Sequence, residues 1–227
     1  MASAYGRPVS IFPENAPDRM PYALVIFDLD GTLADSFPWF LTVANAVARE
    51  YGFRQLADDE IEPLRRAGSR DILRRLEVPL WKLSAIARRM RALKREQLDA
   101  ISLFPGVPAM LHTLRDAGLT LALVSSDNED NARRQLGESA AVFSHFACGA
   151  SIFGKAAKFK TVMRRARVTA AQTIAIGDEV RDIEAARAAG IACGAATWGY
   201  AARDALVAMK PELVFEDMND IAARLTP

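Results

Sequence analysis

Short apolar runs alternate with amphipathic stretches along most of the chain. The first apolar run, residues 22–27, ends in acidic residues and a glycine, which is typical of a fully buried strand. Similar apolar runs predict further strands at residues 119–124, 173–177, 191–197 and 212–215. Amphipathic stretches predict helices at residues 107–116, 129–136, 156–167, 180–189, 203–209 and 217–225. This alternation predicts an α/β fold in which a parallel sheet is covered by helices on both faces.

The segment at residues 35–103 departs from this alternation. It contains no convincing strand pattern, and its apolar positions recur at helical spacing within residues 37–51, 60–75 and 81–98. About seventy residues is too long for an ordinary crossover connection, so we expect an inserted helical lobe. The predicted organisation is a loose extension at 1–20, an α/β core at 21–34 and 104–227, and a helical cap at 35–103.

Charge, cysteine content and the length of apolar runs indicate which partners and which cellular compartment to expect. The 227 residues carry a formal net charge of +1, so the chain as a whole has no electrostatic reason to bind nucleic acid or an anionic membrane. Two cysteines, Cys148 and Cys193, fit a reducing compartment better than a disulfide framework. No apolar run is long enough for a signal peptide or a membrane span. We therefore expect a cytoplasmic protein.

Acidic residues follow two of the predicted strands. Asp28 and Asp30 come directly after the first strand, and Gly31 allows a sharp turn behind them. Asp178 and Asp182 follow the strand at 173–177 and lie four apart at the opening of a predicted helix, where they can share a face. Taken singly, each cluster could be a polar turn or an ordinary helix cap.

Together the two clusters would place several carboxylates at the same edge of the sheet. That arrangement is costly unless a cation lies between them. Oxygen ligands without a histidine or thiolate cluster select a hard cation that approaches phosphate, so the expected metal is Mg²⁺.

Further residues could hold a phosphoryl group at that edge. Ser125 and Ser126 follow the strand at 119–124 and offer hydroxyl and backbone N–H donors. Lys155, behind Gly154, could neutralise charge on the phosphate oxygens.

The order of these pieces resembles the four motifs of the haloacid-dehalogenase superfamily. The matching segments are Asp28-Leu29-Asp30-Gly31-Thr32-Leu33, then Ser125, then Lys155, then Gly177-Asp178-Glu179-Val180-Arg181-Asp182. The resemblance runs from about residue 21 to the end of the chain and implies a Rossmann-like core with an inserted α-helical cap. The segments 104–107 and 197–200 are similar to the phosphoglycolate-phosphatase-like branch, whose members hydrolyse small phosphomonoesters.

The resemblance implies a role for each matching residue. Asp28 would be the nucleophile that becomes phosphorylated, and Asp30 would be the general acid and base. Asp28, Asp178 and the backbone carbonyl of Asp30 would bind Mg²⁺. Ser125 and Lys155 would hold the phosphoryl group.

Two acidic residues would support that site from further away. The resemblance implies that Asp182 orients Lys155 or a water on the metal, and that Glu179 acts at a greater distance. Lys158 and Lys160 stay open as alternatives to Lys155, which is favoured because it opens its helix. Asp30 favours phosphate transfer over dehalogenation, because an alkoxide leaves poorly without a proton.

The cap carries a group of basic residues that would favour a small anionic substrate. They are Arg65, Arg66, Arg70, Arg74 and Arg75. Most of them suit a solvated helix face, but Arg70 follows the glycine-containing break at 67–69 and could point into the cleft. Trp39 could line the same cleft.

The expected partner is a small phosphorylated metabolite, bound by a monomer or homodimer. One alternative is a phosphomutase of the same fold, which returns the phosphate to a sugar. Others are a receiver-like phosphoacceptor and a catalytically silent binding module. The large insert, and an aspartate that follows the first strand, count against a receiver domain.

Overall fold

A computed structural model of the chain describes residues 22–149 and 154–226. The predicted extension at 1–20 lies outside these residues. The described part contains one parallel sheet of six strands in the order β3-β2-β1-β4-β5-β6. The strands are β1 (Leu24–Phe27), β2 (Thr120–Leu123), β3 (His145–Phe146), β4 (Thr173–Gly177), β5 (Ala192–Ala196) and β6 (Leu213–Phe215). The predicted α/β class is confirmed, and this sheet places β1 next to both β2 and β4.

Strand β1 is buried on both faces of the sheet. Val25 and Phe27 join one hydrophobic cluster, and Leu24 and Ile26 join another on the opposite face. The first cluster is completed by the helices α5 (Val107–Asp116), α6 (Glu129–Leu136) and α10 (Met218–Leu225). The second is completed by α7 (Lys155–Ala166), α8 (Val180–Ala189) and α9 (Arg203–Ala208). A strand that is buried on both faces has a continuous apolar sequence, as β1 does.

The short edge strand β3 was not predicted. Its two residues pair with β2 through Ala122↔His145 and Leu123↔Phe146. Two residues carry no periodicity that could distinguish a strand from a loop, which explains the omission.

The helices of the inserted segment are α1 (Phe37–Tyr51), α2 (Ile61–Arg65), α3 (Ser69–Arg75) and α4 (Leu83–Glu96). The single stretch predicted at 60–75 is divided, because Gly68 has an extended backbone with φ −72° and ψ 157°. The inserted α-helical cap is confirmed as part of the fold, while its limits at residues 35 and 103 stay a prediction.

The chain enters the cap and returns to the core along two adjacent segments. The amide of Asp35 donates to the carbonyl of Ser102 at 2.9 Å, and the amide of Phe104 donates to the carbonyl of Leu33 at 2.9 Å. Ala34 and Leu103 form an antiparallel bridge between them. The two chain connections between cap and core therefore lie side by side at one narrow place. Among the described helices, none is both long and apolar enough to cross a membrane.

Candidate active site

The ends of β1 and β4 bring the acidic clusters together. The two strands pair in parallel with Phe27 opposite Ile176, and the amide of Asp28 donates to the carbonyl of Ile176 at 2.9 Å. Carboxylate oxygens of Asp28, Asp178 and Asp182 all lie within 4.8 Å of one another, and all three residues are buried. The predicted meeting of the two clusters at one sheet edge is thus what the structure shows.

Lys155 reaches this cluster from the first turn of α7. Its Nζ lies 2.5 Å from Asp28 Oδ2 and 2.5 Å from Asp182 Oδ1. Lys158 instead donates to the carbonyl of Cys148 at 3.1 Å, and Lys160 is exposed. Of the three candidate lysines, the structure brings only Lys155 to the carboxylates.

Burial raises the pKa of both strand-end aspartates. It raises the pKa of Asp28 to about 6, against the opposing effect of the Lys155 charge. It raises the pKa of Asp178 well above the usual value, and the neighbouring charge of Glu179 adds to this effect. Burial lowers the pKa of Lys155, but the charges of Asp182 and Asp28 outweigh it and keep the ammonium protonated. A further positive charge placed near Asp28 and Asp178 would therefore stabilise their ionised forms.

The donor set suits a hard cation. The candidate ligands are carboxylate oxygens, and Lys155 balances only part of the charge on Asp28, Asp178 and Asp182. Such a cluster fits Mg²⁺, which prefers oxygen ligands and binds through one or two carboxylates. The residues present are therefore compatible with the predicted metal.

Asp178 differs from the sequence expectation in one respect. It lies before α8, which begins at Val180, so Asp178 and Asp182 do not share a helix face as expected. Its Oδ1 accepts from Thr32 Oγ1 at 2.6 Å, and its Oδ2 accepts from the amide of Tyr200 at 2.8 Å. Asp182 is in the helix, where its Oδ2 accepts from the amide of Glu179 at 3.0 Å.

Two glycines allow the backbone to approach the Asp178 carboxylate closely. A Cβ at Gly31 would overlap the Asp178 carboxylate, and Gly31 also has a φ of +77°. A Cβ at Gly199 would overlap both Asp178 and the carbonyl of Gly31. Both positions therefore require glycine for Asp178 to keep its place.

Asp30 contacts the cap through a residue that the sequence analysis missed. Its Oδ1 accepts from Nζ of Lys94, on α4, at 2.6 Å. The same Nζ lies 3.0 Å from Oδ2 of Asp127, an ion pair without hydrogen-bond geometry. Burial lowers the pKa of Lys94, but the charges of Asp30 and Asp127 outweigh it and raise the pKa above its usual value.

The two serines after β2 have different surroundings. Ser125 is buried, and its Oγ accepts from the amide of Asp127 at 3.0 Å. Ser126 lines a cavity between cap and core, and its carbonyl accepts from Nη1 of Arg91 at 3.1 Å. Because β2 neighbours β1, Ser125 is one strand away from Asp28.

The cavity between cap and core has a volume of about 760 Å³. Asp30, Glu179 and Trp39 line it, as Trp39 was expected to do. Arg70 is exposed and is not one of the lining residues, so the structure does not place it where the sequence suggested. The basic residues that line the cavity are instead Arg54, Arg65, Arg91, Lys94 and Arg181.

A family model described as haloacid dehalogenase-like hydrolase matches residues 25–196. The chain belongs to this family. A phosphoglycolate phosphatase from Synechococcus elongatus is 34% identical over 204 residues, which cover 89% of this chain and 96% of the relative. Another from Xanthomonas campestris pv. campestris is 36% identical over 193 residues, covering 80% and 86%. These relatives confirm the resemblance to the phosphoglycolate-phosphatase-like branch of the haloacid-dehalogenase family.

Solved structures agree with the family fold. A haloacid dehalogenase-like family hydrolase from Streptococcus pneumoniae matches with a TM-score of 0.73 at 20% identity, covering 89% of this chain and 98% of its own. A predicted phosphatase from Clostridium acetobutylicum matches with a TM-score of 0.74 at 18% identity, covering 89% and 97%. At these identities the matches show the fold, namely a parallel-sheet core with a helical cap.

Proposed function

We propose that this haloacid dehalogenase-like hydrolase is a magnesium-dependent phosphatase that cleaves a small phosphomonoester through an aspartyl-phosphate. The observation that carries the proposal is the position of Lys155, which contacts Asp28 and Asp182 while Asp178 lies beside them. A nucleophilic carboxylate needs this neighbouring positive charge to approach an anionic phosphate.

In the first step, a carboxylate oxygen of Asp28 attacks phosphorus. The new bond to phosphorus forms as the bond from phosphorus to the ester oxygen breaks, and Asp30 donates its proton to that oxygen, which leaves as an alcohol. Lys155 and Ser125 hold the phosphoryl oxygens. Bound Mg²⁺ would neutralise charge on the phosphoryl group, with Asp28, Asp178 and the backbone carbonyl of Asp30 as its protein ligands.

In the second step, Asp30 acts as a base. It accepts a proton from a water molecule, whose oxygen attacks the phosphorus of the aspartyl-phosphate. The bond from Asp28 to phosphorus then breaks, inorganic phosphate is released, and Asp30 is again protonated. Asp182 keeps Lys155 oriented through both steps, as its contact with Nζ supports.

The substrate class follows from the relatives and from the cavity. The two relatives described above are phosphoglycolate phosphatases, and basic side chains line the cavity together with Asp30. We therefore propose a small phosphorylated metabolite as substrate, in a cytoplasmic setting.

The proposal predicts Mg²⁺-dependent release of inorganic phosphate from a panel of phosphomonoesters that includes phosphoglycolate. Asp28→Asn should lower turnover by at least about 10³-fold, because it removes the nucleophile. Asp178→Asn should instead weaken Mg²⁺ binding, measured by calorimetry. Asp116→Asn, an exposed substitution on α5, is the matched control and should change neither quantity.

Four outcomes would contradict parts of this proposal. Absence of phosphate release on the whole panel would reject the phosphatase. A stable phosphoprotein without turnover would indicate a phosphoacceptor, and transfer of phosphate to a second sugar position would indicate a phosphomutase. Equal Mg²⁺ affinity in wild type and Asp178→Asn would reject the metal assignment.

A further inference from the structure

Lys94 is a buried cation that the cap contributes to the core. It lies near the end of α4, and its ammonium contacts Asp30 Oδ1 at 2.6 Å and Asp127 Oδ2 at 3.0 Å. A lysine is rarely buried unless it is paired, and here both partners belong to the core. The contact therefore forms only when the cap lies against the core.

Asp127 is itself held in place from α6. Its Oδ1 accepts from the amide of Asn128 at 2.7 Å and from Nδ2 of Asn131 at 2.9 Å. Nδ2 of Asn131 also donates to the carbonyl of Arg91 on α4 at 3.0 Å. These bonds fix one of the carboxylates that Lys94 contacts, so the position of the ammonium is set by the core as well as by its own helix.

Asp30 combines two properties at this point. It lines the cavity, as Lys94 and Asp127 also do, but its side chain keeps 25% of its surface exposed, whereas that of Lys94 keeps 4% and that of Asp127 keeps 2%. The most exposed of these three side chains is thus held by a buried cation of the cap.

We infer that Lys94 is a positioning residue that holds the Asp30 carboxyl in its acid-base orientation when the cap is seated on the core. This inference rests on the proposed phosphatase function, in which Asp30 protonates the leaving oxygen. It makes the acid-base step depend on the cap, so that proton donation is efficient only with the cap in contact.

Substrates with different leaving groups distinguish a positioning role of Lys94 from a merely structural one. An alkyl phosphate needs a proton on its leaving oxygen, whereas p-nitrophenolate leaves readily without one. The quantity to compare is kcat/KM, because it reports the steps up to formation of the aspartyl-phosphate and excludes its later hydrolysis.

Lys94→Met should lower kcat/KM for an alkyl phosphate by about 100-fold, the lower end of what general acid catalysis contributes. The same variant should lower kcat/KM for p-nitrophenyl phosphate by less than about 5-fold, because Asp28, Lys155 and the metal ligands are untouched. Methionine keeps an unbranched side chain of similar length at the buried position of Lys94. Arg95→Met, an exposed substitution on the same helix, is the matched control and should leave both values unchanged.

A double variant tests whether Lys94 acts through Asp30. Asp30→Asn alone should show the same selective loss on the alkyl ester, and adding Lys94→Met to it should cause no further selective loss. If Lys94→Met does not fold, Asp127→Asn replaces it, because it removes one of the two charges that Lys94 contacts. The same two kcat/KM values are then compared.

The outcomes distinguish the two proposals. Equal losses on both substrates, or a full additional loss in the double variant, would overturn the role of Lys94 and leave the phosphatase in place. Wild-type protein without phosphate release on either ester would overturn the proposed function, and the role of Lys94 with it.

Discussion

At the residue scale, the site is built from close approaches that leave no room for larger side chains. Asp178 lies against the backbones of Gly31 and Gly199, and both of its oxygens accept hydrogen bonds. An aspartate constrained in this way keeps its carboxylate in one orientation before any cation arrives. Preorganisation of this kind reduces the entropy lost on binding.

Gly199→Ala should destabilise the protein and weaken Mg²⁺ binding. The added methyl would overlap Asp178 and the carbonyl of Gly31, which forces the backbone or the carboxylate to move. We expect a loss of about 2 kcal/mol or more in the free energy of unfolding, measured by urea denaturation. Gly68→Ala is the control, because nothing lies within 4 Å of an added Cβ there, and it should cost only a few tenths of a kcal/mol. Similar stabilities for the two variants would contradict this account.

Sequence motifs could place some site residues and not others, for a physical reason. Asp28, Asp178 and Lys155 follow strands or open a helix, so parallel-sheet topology alone brings them to one edge. Lys94 lies 64 positions from Asp30 in a helix rich in basic residues, and nothing local marks it as buried. Its role depends on how the cap packs against the core, which periodicity does not specify.

At the element scale, the start of α6 links a local helix cap to the site. Asn128 Oδ1 accepts from the amide of Asn131 at 2.8 Å and so begins the helix that holds Asp127. The end of the chain offers a comparison, since Asp217 Oδ1 caps α10 by accepting from the amide of Asp220 at 2.8 Å. The two caps are chemically alike, but only the first belongs to an element that touches the cap domain.

Asn128→Ala and Asp217→Ala should therefore cost similar stability and differ in activity. Each loses one capping hydrogen bond, worth about 1 kcal/mol in the free energy of unfolding. Asn128→Ala should in addition lower kcat/KM for an alkyl phosphate several-fold, because it removes the cap of the helical turn that carries Asn131, a donor to Asp127. Thermal unfolding and steady-state kinetics of the two variants check this, and equal activities would speak against a role for α6.

Elements with strong periodicity were predicted within a few residues, and the departures have local causes. The run at 173–177 and the helix at 107–116 agree with the structure at both ends. The stretch at 60–75 was predicted as one unit because its apolar spacing continues across Gly68, where the backbone is in fact extended. A single glycine is tolerated in many helices, so the pattern alone does not decide the break.

At the scale of the whole molecule, the buried carboxylates couple stability to pH and metal. The folded protein raises the pKa of Asp28 from 3.8 to about 6 and also raises that of Asp178. Without metal, the stability from these protonated groups is present below their unfolded pKa and is lost as pH rises through the folded pKa. In the proposed function, Mg²⁺ would bind the ionised carboxylates and so compete with the protons.

Saturating Mg²⁺ should therefore raise the melting temperature by about 5 °C or more near pH 7.5 and by much less near pH 5. Differential scanning fluorimetry with and without the metal at each pH isolates this effect from other titrating groups. Asp178→Asn should lose most of the gain at the higher pH. A metal effect that is the same at both pH values would show that these aspartates do not bind the ion.

The narrow attachment of the cap has a consequence for how such a protein can diversify. The chain leaves the core at Leu33 to Asp35 and returns at Ser102 to Phe104, with the two segments hydrogen-bonded side by side. Any insert whose ends lie that close together can occupy this place without altering the spacing of β1 and β4. Replacing this lobe would leave the core residues Asp28, Asp178 and Lys155 in place, whereas the contact of the cap with Asp30 would have to be made again by the new insert.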